Sequence, residues 1–151
     1  MADSQVIEIL GRNRLVAELF AAGVEVAYPA RDRGVDLIAY CERNEDVKNF
    51  IAVPMQVKAS SRKNFSINKK YARIANLLIV FIWGVQEDEE AETYALTYEE
   101  SFKIAKTMKW IEKDSWTKGG TFRAGSPNQS LLALLEPYKM TKEAWKTKLK
   151  A

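Results

Sequence analysis

The sequence predicts an α/β fold of the α+β kind, a mixed sheet with a helix on each face. Three observations carry this prediction. Residues 34–58 hold two apolar segments rich in β-branched residues, 34–40 and 50–58, separated by the polar run 41–49, which is the pattern of a hairpin. Residues 77–83 are apolar at every position, as a central strand covered on both faces requires. Residues 4–22 and 98–108 space their apolar side chains at helical intervals.

Taken in order, the first helix has Ser4 as its expected N-cap, an apolar stripe of Leu15, Val16, Leu19 and Phe20, and Gly23 as the C-terminal stop. By spacing, Glu8 and Arg12 fall on that stripe, and a carboxylate there needs a partner or a metal, whereas Glu18 falls off it and is expected in solvent. A short strand at 24–28 and a polar turn at 29–34 lead into the hairpin. A basic loop at 59–64, a brief strand at 65–67 and a short helix at 68–75 precede the central strand. After the acidic run 87–92 comes a strand at 93–96. Thr97 and Glu100 then stand at capping-box spacing before the helix. Residues 113–126 are expected to form a loop. Pro127 suits the first turn of a helix at 128–136, and Thr141 caps a last amphipathic helix carrying Trp145 and Leu149. Trp83, Trp110, Trp116 and Trp145 are expected in the core or a subunit contact rather than stacked on bases.

At 151 residues, with 47% apolar and 28% charged residues, the chain is expected to be one domain with a good core. The net charge of +3 conceals basic runs at 58–73 and 138–150, offset by the acidic run. A basic surface is compatible with nucleic acid and equally with solvated lysines. The single cysteine, Cys41, precludes an internal disulfide and fits a reducing compartment. No leader or long apolar span is evident, so the expectation is a cytoplasmic protein without membrane contact. With no histidine in the chain, His-based acid–base chemistry, His metal sites and Ser/Cys–His triads are excluded. A metal would be held by oxygen, and would be a hard ion such as Mg²⁺ or Mn²⁺.

The hairpin concentrates the chemistry. Its arms are antiparallel, so Asp36 at the start of one lies beside Gln56 and Lys58 at the end of the other. Alternation puts Gln56 and Lys58 on one face and Val57 on the opposite one. A carboxylate, an amide and an ammonium thus converge on one patch.

A helix with a carboxylate, then a strand, then Gly34-Val35-Asp36-Leu37, then Gln56-Val57-Lys58 twenty residues beyond Asp36, resembles the PD-(D/E)XK nuclease superfamily over residues 4–83. The segments 33–37 and 54–60 are most similar to the branch of group I intron-associated homing endonucleases. They also resemble archaeal Holliday-junction resolvases. The resemblance implies a restriction-endonuclease-like αβββαβ core over about residues 4–97, followed by a helical extension at about 98–151. It further implies that Asp36 is the central metal ligand, that Gln56 stands where most members have an acid, that Lys58 is the motif lysine, and that the Val57 carbonyl is a further ligand. Glu8 matches the helix carboxylate loosely, because the family's Gly-Glu pair reads Gly11-Arg12 here. Val35 stands where the motif's proline would.

The implied activity is Mg²⁺- or Mn²⁺-dependent hydrolysis of DNA phosphodiester bonds through Asp36, Gln56 and Lys58, with Glu8 assisting. Lys63, Lys69, Lys70, Arg73, Lys118 and Arg123 are the candidate DNA contacts, each with a solvated side chain as its plain alternative. Cutting both strands would call for a homodimer or higher oligomer, with the C-terminal helices as a possible apolar interface. Two rival readings are a DNA-binding protein on this fold without catalysis, and an interaction subunit that binds another protein.

Overall fold

The structure, a computed structural model, describes residues 3–41, 50–86 and 91–149. Helix α1 (Ser4–Ala21) is capped by Asp3, whose carboxylate accepts the Gln5 N–H at 2.8 Å, one residue earlier than Ser4. Its chain turns away at Gly23, where φ is +78°. Leu15 and Leu19 are buried as expected. Phe20, assigned by sequence to the same stripe, is 55% exposed, because the stripe facing the sheet is narrower than the sequence pattern.

One sheet runs in the order β1 (Glu25–Ala27), β2 (Leu37–Cys41), β3 (Ile51–Ser60), β5 (Leu78–Trp83), β6 (Glu92–Thr97), and all pairs are antiparallel except β3 with β5. The hairpin forms as expected, Leu37 pairing with Met55 and Cys41 with Ile51. Its turn, residues 42–49, lies outside the described residues, as do 87–90 of the acidic run. All six residues of β5 are buried, which is what an uninterrupted apolar run requires. They alternate between two cores. Val80 and Ile82 meet Leu15 and Leu19 of α1, while Ile79, Phe81 and Trp83 meet the elements on the opposite face.

Those opposite elements come mostly from the C-terminal third. Helix α2 (Tyr98–Thr107) carries the expected capping box, with Thr97 and Glu100 bonding reciprocally at 3.1 and 2.8 Å. The stretch expected to be a loop instead holds a short helix, α3 (Asp114–Gly119), and a strand, β7 (Thr121–Ala124). β7 pairs antiparallel with β4 (Phe65–Asn68) as a separate two-stranded ribbon. The expected helix at 68–75 is a 3-10 turn, Lys69–Arg73, with Asn68 as its cap. Asn68 and the ribbon occupy the chain that a full helix would need. Helix α4 (Gln129–Leu135) is capped by Asn128, so Pro127 precedes the cap rather than entering the first turn. Helix α5 (Lys142–Lys148) is capped by Thr141 as expected.

All four tryptophans are at most 5% exposed, so they build cores. Leu131, Leu135, Trp145 and Leu149 are buried too. The C-terminal helices therefore spend these side chains on the core, and among the described residues none of their large apolar side chains is among the exposed ones. The large exposed apolar side chains are instead Val6, Ile9 and Leu10 on α1, with Phe20, Tyr28 and Phe50. Glu18 is also corrected. It is not in solvent but accepts a hydrogen bond from Thr93 Oγ1 at 2.8 Å, tying α1 to β6. Among the described residues, no helix is long and apolar enough to cross a membrane.

Candidate active site

β3 continues five residues beyond the point where β2 begins, and this overhang makes the site. The last rung between the two arms is the Asp36 N–H donating to the Met55 carbonyl at 2.8 Å. Val57 lies one step further along the same edge, where β2 offers no backbone acceptor. Its N–H donates instead to Asp36 Oδ2 at 2.7 Å. The side chain of Asp36 thereby replaces a missing rung, and its carboxylate is fixed against the strand. The approach to Asp36 is shaped by Gly34, at φ +96°, and by Asp32, whose Oδ1 accepts the Gly34 N–H at 3.1 Å.

Opposite this edge, α1 presses on β3. A Cβ on Gly11 would lie 2.3 Å from the Ala59 Cβ, so only glycine permits this approach. The close packing brings the flanking residues Glu8 and Arg12 to a cleft of about 150 Å³, which Asp32, Asp36, Gln56 and Val57 also line. Glu8 is exposed at its rim rather than on a buried face, because α1 overhangs the sheet there. Glu8 and Arg12 do not form the ion pair that their spacing allowed. Arg12 is half-buried and its charge acts on Asp36.

Burial is the main force on Asp36 and pushes its carboxyl above the ordinary range; the Asp32 carboxylate pushes the same way, while the Val57 N–H and Arg12 oppose it. Gln56 Oε1 is buried and has no hydrogen-bond partner. Such an atom costs about 1–3 kcal/mol unless something occupies it. Gln56 lines the cleft together with Asp36 and Val57, and the Val57 carbonyl leaves the strand on the same edge as its N–H. Carboxylate, amide and backbone carbonyl oxygens are the ligand types that a hard cation takes. Among the described residues, no three His, Cys, Asp or Glu side chains cluster in a metal-holding arrangement.

The cleft opens along β3 into a groove of about 410 Å³ that shares Glu8, Gln56 and Val57 and continues past Lys58. Lys58 Nζ stands 5.1 Å over the ring centroid of the buried Tyr71, and Lys70 Nζ is at the same distance from that ring. The far wall of the groove is the β4–β7 ribbon, with Asn64, Ser66, Asn68, Thr121 and Arg123. Of the six cations assigned to DNA by sequence, Lys70 and Arg123 line this groove, and Lys63 with Arg123 lines an adjoining hollow of about 230 Å³. The other three lie elsewhere. Lys69 Nζ sits 4.9 Å over the Trp116 ring, Arg73 Nε donates to the Lys70 carbonyl at 3.3 Å, and Lys118 pairs with Asp114 at 3.6 Å.

Sequence reasoning missed Asp32, Arg12's place in the cleft, and the polar face of the ribbon. Asp32 offered a weak signal, an acid just before Gly34 on the approach to Asp36. The ribbon offered the alternation Phe65-Ser66-Ile67-Asn68.

Among solved structures, the chain is similar to a bacterial homing endonuclease, I-Ssp6803I, at 16% identity, with 99% of this chain and 94% of that chain covered and a TM-score of 0.53. It is also similar to Hjc, a Holliday junction resolvase from Archaeoglobus fulgidus, at 13% identity, with 82% and 85% covered and a TM-score of 0.48. No protein-family model matches the chain, and no curated protein matches it. At 16% identity the likeness to I-Ssp6803I is one of fold: a five-stranded mixed sheet flanked by helices.

Proposed function

We propose that the protein is a divalent-metal-dependent DNA endonuclease that hydrolyses phosphodiester bonds. The observation that carries this reading is the buried, unpartnered Gln56 Oε1 beside the fixed carboxylate of Asp36, at the head of a groove containing Lys58. The fold likeness to I-Ssp6803I adds an argument by analogy only. Asp36, Gln56 Oε1 and the Val57 carbonyl would hold Mg²⁺ or Mn²⁺, with Glu8 at the rim. The chemistry that a cation held there would supply is Lewis acidity toward a phosphate oxygen and a lowered pKa for the attacking water.

The chain's own groups do the rest. Asp36 is oriented before any ligand arrives, because Val57 already holds one of its oxygens. Lys58, whose ammonium stands over the Tyr71 ring, would stabilise negative charge on the reacting phosphate. Arg12 supplies a fixed positive charge where the family resemblance leads one to expect a carboxylate, so this site binds its cation with fewer acids and more weakly. Lys70 along the groove and Lys63 in the adjoining hollow hold the DNA backbone. One site cuts one strand, so double-strand cleavage requires a homodimer or a higher oligomer.

A second reading, a DNA-binding protein without catalysis, is favoured by Arg12 and by the lack of a three-carboxylate cluster among the described residues. Supercoiled plasmid and a four-way junction incubated with Mg²⁺, Mn²⁺ or EDTA separate the two. The nuclease reading expects metal-dependent nicking that is lost in Asp36→Ala and in Lys58→Ala. Salt-dependent binding without nicking establishes the second reading instead.

A further inference from the structure

We infer that the β4–β7 ribbon is the base-reading element of this protein, lying against the major groove of duplex DNA while the cleft addresses a phosphate. This rests on the DNA reading above. The strand register places Ser66 opposite Arg123 and Asn68 opposite Thr121, and all four side chains line the groove. The alternate residues Phe65 and Ile67 are at most 1% exposed, and Phe122 and Ala124 pack beside the same core. The ribbon is thus anchored on one face and wholly polar on the other.

The chemistry of that polar face distinguishes reading from clamping. A phosphate clamp needs cations, but three of these four residues are an amide and two hydroxyls. The fourth, an arginine, has the fork that fits guanine O6 and N7, and an amide fits adenine N6 and N7. Three of the four, Arg123, Asn68 and Thr121, are steadied by the protein's own hydrogen bonds with donors or acceptors left over. Arg123 Nε donates to Asn64 Oδ1 at 3.2 Å, leaving its two terminal nitrogens free. Asn68 Oδ1 accepts the Lys70 N–H at 3.0 Å, leaving its amide NH₂ and the second Oδ1 lone pair. Thr121 Oγ1 donates to the Ile67 carbonyl at 3.2 Å and keeps its acceptor lone pairs. Side chains held this way lose little entropy on binding. Two strands fit the roughly 12 Å width of the major groove and not the roughly 6 Å of the minor.

The test is selection from a randomised duplex pool, read by sequencing and by fluorescence polarisation, in an Asp36→Asn background that suppresses cutting. The parent is expected to enrich a motif. Arg123→Ala and Arg123→Lys should each lose preference at one base pair, by roughly 5- to 100-fold. Because Arg123→Lys keeps the charge, its affinity for scrambled duplex should stay within about twofold. Asn68→Ser, which preserves a capping oxygen, should relax a neighbouring position. Lys70→Ala should weaken selected and scrambled duplexes alike. A motif unchanged in both Arg123 and Asn68 variants, or a parent without any preference, overturns the inference. Wild-type nicking is scored separately. Nicking with an unchanged motif sinks the ribbon alone, a ribbon-dependent motif without nicking sinks catalysis alone, and absence of both duplex binding and nicking sinks both.

Discussion

Asp36 has two duties, as a substitute rung for Val57 and as the acid of the cleft. Asparagine can perform the first and not the second. Asp36→Asn is therefore expected to fold as the parent does, seen by circular dichroism and thermal melting, yet to lose nicking by on the order of a hundredfold or more. A variant that cuts at near-parent rates would place the chemistry elsewhere. Asp32 gives a prediction about pH. Burial and then the Asp32 charge raise the pKa of Asp36, so the ionised form needed to hold a cation is reached only above the ordinary carboxylate range. Nicking should fall as pH drops through that raised value. In Asp32→Asn one of the raising causes is gone, and the acid limb of the pH–rate profile should move to lower pH. An unmoved or raised limb would show that the two carboxylates do not act on one another. Asp36, Gln56 and Lys58 were legible as a group because antiparallel pairing follows directly from two strands and a turn. Asp32 and Arg12 were not, since a loop residue and a helix residue reach the cleft only through Gly34's turn and Gly11's close approach.

Helix α1 sets the width of the cleft, and its contact with β3 turns on Gly11. Gly11→Ala inserts a methyl where Ala59 already stands, so the helix must lift. Overpacking of this sort costs about 1–3 kcal/mol, measurable by urea denaturation. Ala59→Gly in the same chain removes the clashing methyl and should restore most of the loss. If it does not, the destabilisation arises from something other than this contact. The other end of α1 makes a second prediction. Glu18 is raised chiefly by burial, against the opposing pull of Thr93, Arg14 and Trp145. A carboxyl raised in the folded state contributes its stability below the unfolded value, near 4.5, and that contribution is lost as pH rises through the folded value. Glu18→Gln keeps an acceptor for Thr93 without the charge. It should therefore melt above the parent at neutral pH, with the gap closing as pH approaches the ordinary carboxylate range. A gap that is constant with pH would mean that the charge of Glu18 is not what matters. At this scale the long elements and the caps at Thr97 and Thr141 were readable, because their signals are local. Strand β7 was not. It has four residues between glycines, and it is a strand only because β4, more than fifty residues away, pairs with it.

The C-terminal stretch that sequence analysis set apart as an extension closes the molecule on both sides of the sheet. β7 completes the ribbon, α2 and α4 cover one face, and α5 drives Trp145 against Leu15 and Leu19 on the other. The resemblance to a nuclease core ended at residue 83 and said nothing about what covers its second face, so this dependence was invisible until the packing was known. We propose on this packing that the chain unfolds as one cooperative unit. Trp145 is 0% exposed, and Trp145→Ala should cost about 3–5 kcal/mol. In this variant the remaining tryptophans, Trp83, Trp110 and Trp116, all lie in the opposite core, so fluorescence reports whether the loss on one face reaches the other. Urea denaturation followed by tryptophan fluorescence and by far-ultraviolet circular dichroism should therefore give a single transition whose midpoint falls equally in both signals. A loss below about 1 kcal/mol, or two separated transitions, would mean that α5 is dispensable to the sheet; in that case removing it should leave the cleft and its chemistry intact.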